Sequence, residues 1–351
     1  MPDAQDRVAS LAPTSMRPLS LRGRLAVLLY CIFPAPSAAQ PATIPVIAGV
    51  PATIPVADRR RFTSKPRVSQ GGQHHTLRRL FAALGTTNRY YVEFGFNPGE
   101  QCRGSGPNSC SLWLNGWDGL LLDGSFHNAS INLHSHFITS ANIVSLFRKH
   151  GVPAQPDYVS IDVDSADLWI MRALLASVYR PRVLSIEFNS NFPWGYPLAF
   201  PDPTTMAVNA EGRFYSRGTC YMGASAMAIE NLGAAWGYVT VAMNSPLDLF
   251  LVPRELAEAH GLRSILPRLR RDAHLLAEHH PMTTTQATNL VDYTRWQSLT
   301  DDGSLTGKEI VRDARASAQR LLANLTARSR TEPKLRCFSQ LQPPRRGWPW
   351  G

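Results

Sequence analysis

The sequence lacks the short motifs of several common enzyme classes. It contains no Gly-x-Ser-x-Gly elbow and no P-loop, so neither a hydrolase triad nor an NTPase is supported. It has no Cys-x-x-Cys pair, which argues against structural zinc. It has few cysteines and few charged residues: 5 Cys in 351 residues and 18% Asp, Glu, Lys and Arg. With 44% hydrophobic residues, that balance describes a globular chain with a real core. The longest apolar run near the start, Leu25–Phe33, has nine residues, too few to span a bilayer, and no transmembrane segment is expected.

Positive charge is in excess. The net charge of +10 sits largely in Arg59-Arg60-Arg61, Arg268-Leu269-Arg270-Arg271 and Arg345-Arg346, which reads as solvated basic surface rather than a specific nucleic-acid site. Arg17, Arg22 and Arg24 precede the nine-residue run, and the small residues of Pro34–Ala39 follow it. That layout predicts a secretory signal peptide over 1–39, with an organelle transit peptide as the alternative; Asp3 and Asp6 count against the latter, and Met16 is an equally good start. Cleavage would leave Cys102, Cys110, Cys220 and Cys337, an even number that fits two disulfides in an oxidising compartment or four free thiols. Cys102 and Cys110 are near enough to close a small loop. A secretory-lumen or extracellular location is therefore expected.

Residues 40–85 read as a Pro-rich linker, with the hexamer Pro41–Val46 repeated at Pro51–Val56, followed by a lead-in helix over Leu77–Leu84. Residues 86–255 alternate strand and helix signals, which predicts an α/β doubly wound sheet. Its strands fall at Tyr90–Glu93, Leu120–Asp123, Ile131–Ile138, Tyr158–Asp162 and Val183–Glu187. An antiparallel edge hairpin over Tyr238–Ala242 and Leu247–Val252 completes it. Helices are expected at Ser109–Gly116, Asn142–His150, Ser165–Val178 and Gly223–Trp236. Residues 256–351 form a basic helical extension, drawn from Arg254–Arg271 and Lys308–Arg328, with a Pro- and Trp-rich unstructured tail; an accessory cap and a solvated appendage both fit.

Four of these short apolar runs end on an acid: Glu93, Asp123, Asp162 and Glu187. Ligands of open α/β sheets sit beyond the carboxyl ends of the strands, so four such carboxylates point to one site on one edge. After Glu93, Gly95 begins a tight turn in which backbone can approach a ligand. Thirty residues beyond Glu93, Asp123 is placed to accept hydrogen bonds from two ribose hydroxyls. The glycine spacing is G-x-x-x-G rather than G-x-G-x-x-G, which does not fit a dinucleotide pyrophosphate.

The runs Val92–Gly95, Gly116–Gly124, Ile138–Ile143, Asp157–Asp164 and Tyr179–Asn189, with Tyr221–Ser225 and Gly237-Tyr238, resemble the FkbM-type S-adenosylmethionine-dependent methyltransferases over roughly residues 88–253. The resemblance implies a mostly parallel, seven-stranded Rossmann-like class I methyltransferase sheet. It also implies that Glu93 and Gly95 hold the cofactor's amino-acid end, that Asp123 takes the ribose, and that Asp162 sits beside the methyl group. Two places depart from the family pattern. Phe96-Asn97-Pro98 replaces small residues in the first turn, where Pro98 lacks an N–H. Asp248-Leu249-Phe250 stands where an Asn often precedes the last strand.

Asp162-Val163-Asp164-Ser165-Ala166-Asp167 carries a D-x-D, the arrangement by which many glycosyltransferases hold a divalent cation. Asp164 and Glu187, with Asn189, are candidate metal ligands, whereas Asp164, Ser165 or Asp167 would equally cap the next helix. His134 and His136 read as surface residues. The chemistry expected is methyl transfer from S-adenosylmethionine to an oxygen of a small-molecule or glycan acceptor, with Asp162, Asp164 or Glu187 as base or metal ligand. A metal-dependent glycosyltransferase of the secretory pathway and a methyltransferase-fold binding protein without catalysis are the alternatives. The signal peptide fits the methyltransferase reading least well, because this cofactor is not made in the lumen.

Overall fold

The computed structural model describes residues 54–60, 66, 68–96, 99–104, 106–164, 166–202, 223–244, 247–269, 290–295, 308–332, 335 and 338. The expected signal peptide, the first hexamer copy, Asn97-Pro98, Ser165, Cys220, Cys337 and the tail lie outside them.

The acid-tipped runs form β1 (Tyr90–Phe94), β2 (Asp118–Asp123), β4 (Tyr158–Ile161) and β5 (Val183–Glu187), with β3 (Leu133–Ser135) at one edge. They are near-continuously apolar because both faces are covered. Val92, Phe94, Leu120, Leu122, Val159, Ile161, Leu184 and Ile186 pack on one face with α4 (Ile143–Lys149), α5 (Asp167–Leu175) and α6 (Ala226–Ala235). Tyr91, Leu121, Tyr158 and Val183 pack on the other with α2 (Gln73–Leu84), α3 (Cys110–Leu114) and α7 (Arg254–Ala259). The tail end of the sheet is β7 (Tyr238–Asn244) and β8 (Asp248–Pro253), an antiparallel hairpin whose β8 also pairs antiparallel with β5.

The seven strands run β3-β2-β1-β4-β5-β8-β7, with β1 through β5 parallel. Strand order reverses between β1 and β4. In such sheets that reversal opens a crevice at the carboxyl ends, and Gly95 and Asp162 flank it. At the opposite end, fully buried Asp157 collects Thr87, Asn88 and Arg89 N–H groups at 2.7–3.0 Å, and its Oδ1 lies 2.7 Å from Arg182.

Three expectations about elements change. β3 is three residues long, not eight, because Ala129–Ile131 forms a 3-10 turn capped by the Asn128 side chain and left by Asn132 in the left-handed region. The basic stretch after Pro253 is split into α7 and α8 (Leu266–Leu269), with Gly261 at φ +66° between them. Arg59, read as basic surface, is 2% exposed in α1 (Val56–Arg59). Its guanidinium donates to the carbonyls of Ile54, Trp113 and Trp117 and pairs with Asp118 at 2.6 Å, so the chain is anchored to the fold from Ile54 on.

The C-terminal helix α9 (Lys308–Ser329) is packed rather than a solvated appendage. Ala314, Ala318, Leu322 and Leu325 recur at helical spacing and are buried. The last three face Phe192, Tyr196, Leu198 and Phe200. There β6 (Leu198–Ala199) pairs with β9 (Val291–Asp292), and Asp292 accepts from Ser317 Oγ at 2.6 Å. Among the described residues no helix is long and apolar enough to cross a membrane.

Candidate active site

The site begins with a close approach of two strand ends. Gly95 has φ +75°, and a β-carbon on it would lie 1.5 Å from the carbonyl oxygen of Asp162. Only glycine allows β1 and β4 to meet this closely where the sheet's order reverses.

Two residues before Gly95, Glu93 reaches across to the next loop. Its carboxylate accepts from the N–H of Asn108 at 2.7 Å, the N–H of Ser109 at 2.9 Å and the Ser109 hydroxyl. Three of its roughly four acceptor positions are thereby engaged. Burial pushes the Glu93 carboxyl above its ordinary range, against those donors. The loop carrying them is closed by a disulfide between Cys102 and Cys110, the pairing left open by the sequence. Asn108 Nδ2 donates to Ser160 Oγ at 3.1 Å, Ser185 Oγ donates to Ser160 at 3.2 Å, and Tyr158 OH lies 2.7 Å from Ser185 Oγ. Since the Ser185 hydroxyl donates to Ser160, Tyr158 must donate to Ser185. A buried polar chain thus runs under the cleft from β1 to β5.

The lead-in segment closes the same cleft from above. Gln73, at the start of α2, donates from Nε2 to Asp248 Oδ2 at 2.7 Å, and its Oε1 accepts from Gly71 N–H at 2.8 Å. Gln70, Gln73, Glu93, Gly95, Pro107, Asn108 and Asp162 all line the resulting pocket. Gly106 must be glycine there too: at φ +100°, a β-carbon would lie 2.6 Å from the Ser69 carbonyl carbon.

At the crest of β4 and β5, one carboxylate oxygen each from Asp162, Asp167 and Glu187 lie within 4.8 Å of one another. Asp167 Oδ1 also accepts from Val163 N–H at 2.8 Å. Burial, then Asp167, Asp248, Asp164 and Glu93, raise the Asp162 carboxyl well above the ordinary range. Burial, then Asp162, Asp167, Asp164 and Asp248, do the same to Glu187. Among the described residues, the charged groups acting most on both are carboxylates. The site is a concentration of carboxyl groups that burial and their neighbours hold against ionisation.

Of the residues expected from sequence, Glu93, Gly95 and Asp162 line the pocket, and Glu187 meets Asp162 at the crest. Asp123 ends β2, the next strand over, where its Oδ1 accepts from Ser125 and Phe126 N–H at 2.7 and 3.1 Å. Asp164 stands in the left-handed region at φ +64° and is not in the triad; Asp167, expected only as a cap, takes that place. Asn189 is buried, with its Oδ1 accepting from Asn191 N–H and Nδ2 at 2.9 and 3.0 Å. Sequence reasoning missed Asn108 and Gln73 and gave Asp248 no role in the site. Asn108, just before α3, and Gln73, the first residue of α2, have no local pattern to mark them, whereas Asp248 begins a strand and is the visible acid at its site end.

Asp248 yields a test of the electrostatics. It is 2% exposed, and burial pushes its carboxyl up to about 6 against the Gln73 hydrogen bond, with Glu93 adding to the rise. A raised folded-state value means the penalty is absent below the ordinary 3.8 and grows as pH rises toward about 6. Asp248→Asn keeps an acceptor for Gln73. It is expected to stabilise the protein by up to about 3 kcal/mol at pH 8 and by nothing measurable at pH 3.5. Urea titrations at the two pH values check this; equal effects at both would contradict it.

Compared with known proteins, the chain matches no protein-family model and no curated protein.

Proposed function

We propose that the protein is an S-adenosylmethionine-dependent O-methyltransferase, related to the FkbM type, acting on a hydroxyl of a small-molecule or glycan acceptor. The observation that carries this reading is the charge of the cleft. Glu93 and Asp162 line it, Asp167, Asp248 and Glu187 stand close by, and among the described residues the charged groups acting most on Asp162 and Glu187 are carboxylates. Such a site favours a cationic ligand. S-adenosylmethionine bears a sulfonium and an ammonium, whereas a nucleotide diphosphate-sugar is an anion.

The residues fit that cofactor along the whole strand-end edge. Glu93 and Gly95 would hold its amino-acid end, and Asp123 would take the ribose hydroxyls. Phe126 and Phe137, 39% and 58% exposed, flank this end of β2 and offer faces for a purine. A β-carbon on Gly124 would lie 3.9 Å from the Phe137 ring, which places that ring against the turn after Asp123. When bound, the cofactor supplies a methyl group for in-line displacement, so the work of the chain is alignment. Asp162, in the cleft and with a raised carboxyl, takes the acceptor's hydroxyl proton on a carboxylate oxygen. Asp167, the carboxylate acting most on it, keeps that carboxyl basic.

Calorimetry of the full chain with S-adenosylhomocysteine tests the assignment. Saturable binding that falls at least tenfold in Asp123→Ala is expected. Absence of binding in the unaltered protein would defeat it.

A second reading rests on the Asp162, Asp167 and Glu187 oxygens, which suit a hard divalent cation. Such an ion would reverse the sign of the site and admit a diphosphate, as a metal-dependent glycosyltransferase requires. UDP-sugar binding that depends on Mn²⁺ and disappears in Asp167→Asn would favour it over methyl transfer. The disulfide is compatible with the secretory location proposed under either reading.

A further inference from the structure

Four imidazoles gather at the open edge of the sheet, away from the cleft. His134 lies on β3, His136 just beyond it, His127 in the turn before it, and His150 at the end of α4. His136 Nε2 and His150 Nε2 are 3.1 Å apart. The ring centres of His134 and His150 are 4.2 Å apart, and His127 stands 5.6 Å from His134.

Two imidazole nitrogens that share one ion at ~2.0–2.1 Å, at angles between square and tetrahedral, lie roughly 2.9–3.4 Å from each other. The His136–His150 pair already has that separation. His134 is held apart from the pair: its Nε2 donates to Asn132 Oδ1 at 2.9 Å, and its ring centre lies 4.2 Å from that of His150 and 6.4 Å from that of His136.

We propose that His136 and His150 together bind one divalent transition-metal ion of the zinc, nickel or copper group through their Nε2 atoms. Neutral imidazoles select these ions, whereas the all-oxygen triad at the crest suits harder cations, so ligand chemistry separates the two sites. Burial lowers the basicity of both rings, helped by Lys149 at each and by His134 and His136 at His150. The ion ties the segment after β3, at the edge of the sheet, to the end of α4. His136 N–H also donates to the Asp123 carbonyl at 2.7 Å, so the clamp steadies the strand end that carries Asp123.

Zinc chloride titrated into the full chain by calorimetry at pH 7.5 tests the site. One ion per chain is expected, with affinity at least tenfold weaker in His150→Gln and in His136→Gln and unchanged in Asp167→Asn. No saturable zinc binding, binding that survives both histidine substitutions, or binding lost in Asp167→Asn would each overturn the proposal. A measurement that needs no variant is the paramagnetic resonance spectrum of the chain with one equivalent of Cu²⁺. Superhyperfine coupling from two imidazole nitrogens is expected, and an oxygen-only spectrum would contradict it.

Discussion

Alanine at position 95 is expected to cost more than about 3 kcal/mol of stability and to abolish ligand binding by whatever protein still folds. Two effects add. The residue sits at φ +75°, where a side chain costs about 1–2 kcal/mol. Its β-carbon would also fall 1.5 Å from the Asp162 carbonyl oxygen, an overlap that side-chain rotation cannot relieve. The ends of β1 and β4 must separate, which disturbs the Phe94–Ile161 register and the cleft between the strands. Against a typical total of 5–15 kcal/mol, that is a large loss. Gly124→Ala is the control: it follows Asp123, but a β-carbon there meets nothing nearer than the Phe137 ring at 3.9 Å. Its change should stay within about 0.5 kcal/mol. Urea denaturation of both variants decides the matter, and a Gly95→Ala protein as stable as Gly124→Ala would refute the close approach.

Asp157→Ala should destabilise the fold by about 3–5 kcal/mol without changing the ligand affinity of the folded protein. Asp157 is fully buried at the far end of β4 from the cleft. It accepts from the N–H groups of Thr87, Asn88 and Arg89 and from the Thr87 hydroxyl, and it pairs with Arg182 at 2.7 Å. Removal leaves three backbone donors and a mostly buried guanidinium without their acceptor. Burial pushes this carboxyl up, but Arg182 and the three N–H groups together hold it below its ordinary range. A lowered folded-state value places the stability gain above the ordinary 3.8, and the gain is lost as pH falls through the folded-state value. The gap between variant and parent should therefore be constant from pH 8 to pH 5 and shrink in stronger acid. A gap that widened in acid would contradict the assignment.

How much of this was legible in the chain follows from where each signal lies. Runs such as Leu120–Leu122 and Val159–Ile161 carry their own strand signal because both faces of the sheet are covered, and the acid after each marks its site end. Glu93, Gly95, Asp162 and Glu187 were visible for that reason. Gln73 was not, because its role depends on reaching Asp248, 175 residues away. Asp167 shares a helix start with Asp164 in sequence, and only the left-handed turn at Asp164 decides which carboxylate joins the triad. Arg59 sits in a run of three arginines and looked solvated; its burial depends on the carbonyls of Trp113 and Trp117. The histidine cluster joins positions 127, 134, 136 and 150, a spacing with no period, so only His134 and His136 draw notice in sequence, and as surface residues.

The central claim is that one cationic ligand occupies the edge running from the Gly95 turn to Asp123. Hydrogen exchange of the full chain with and without S-adenosylmethionine tests it most directly. Protection confined to residues 93–96, 106–109, 123–126 and 162–164 is the expected result. No protection, or protection centred on the β3–α4 edge instead, would contradict it.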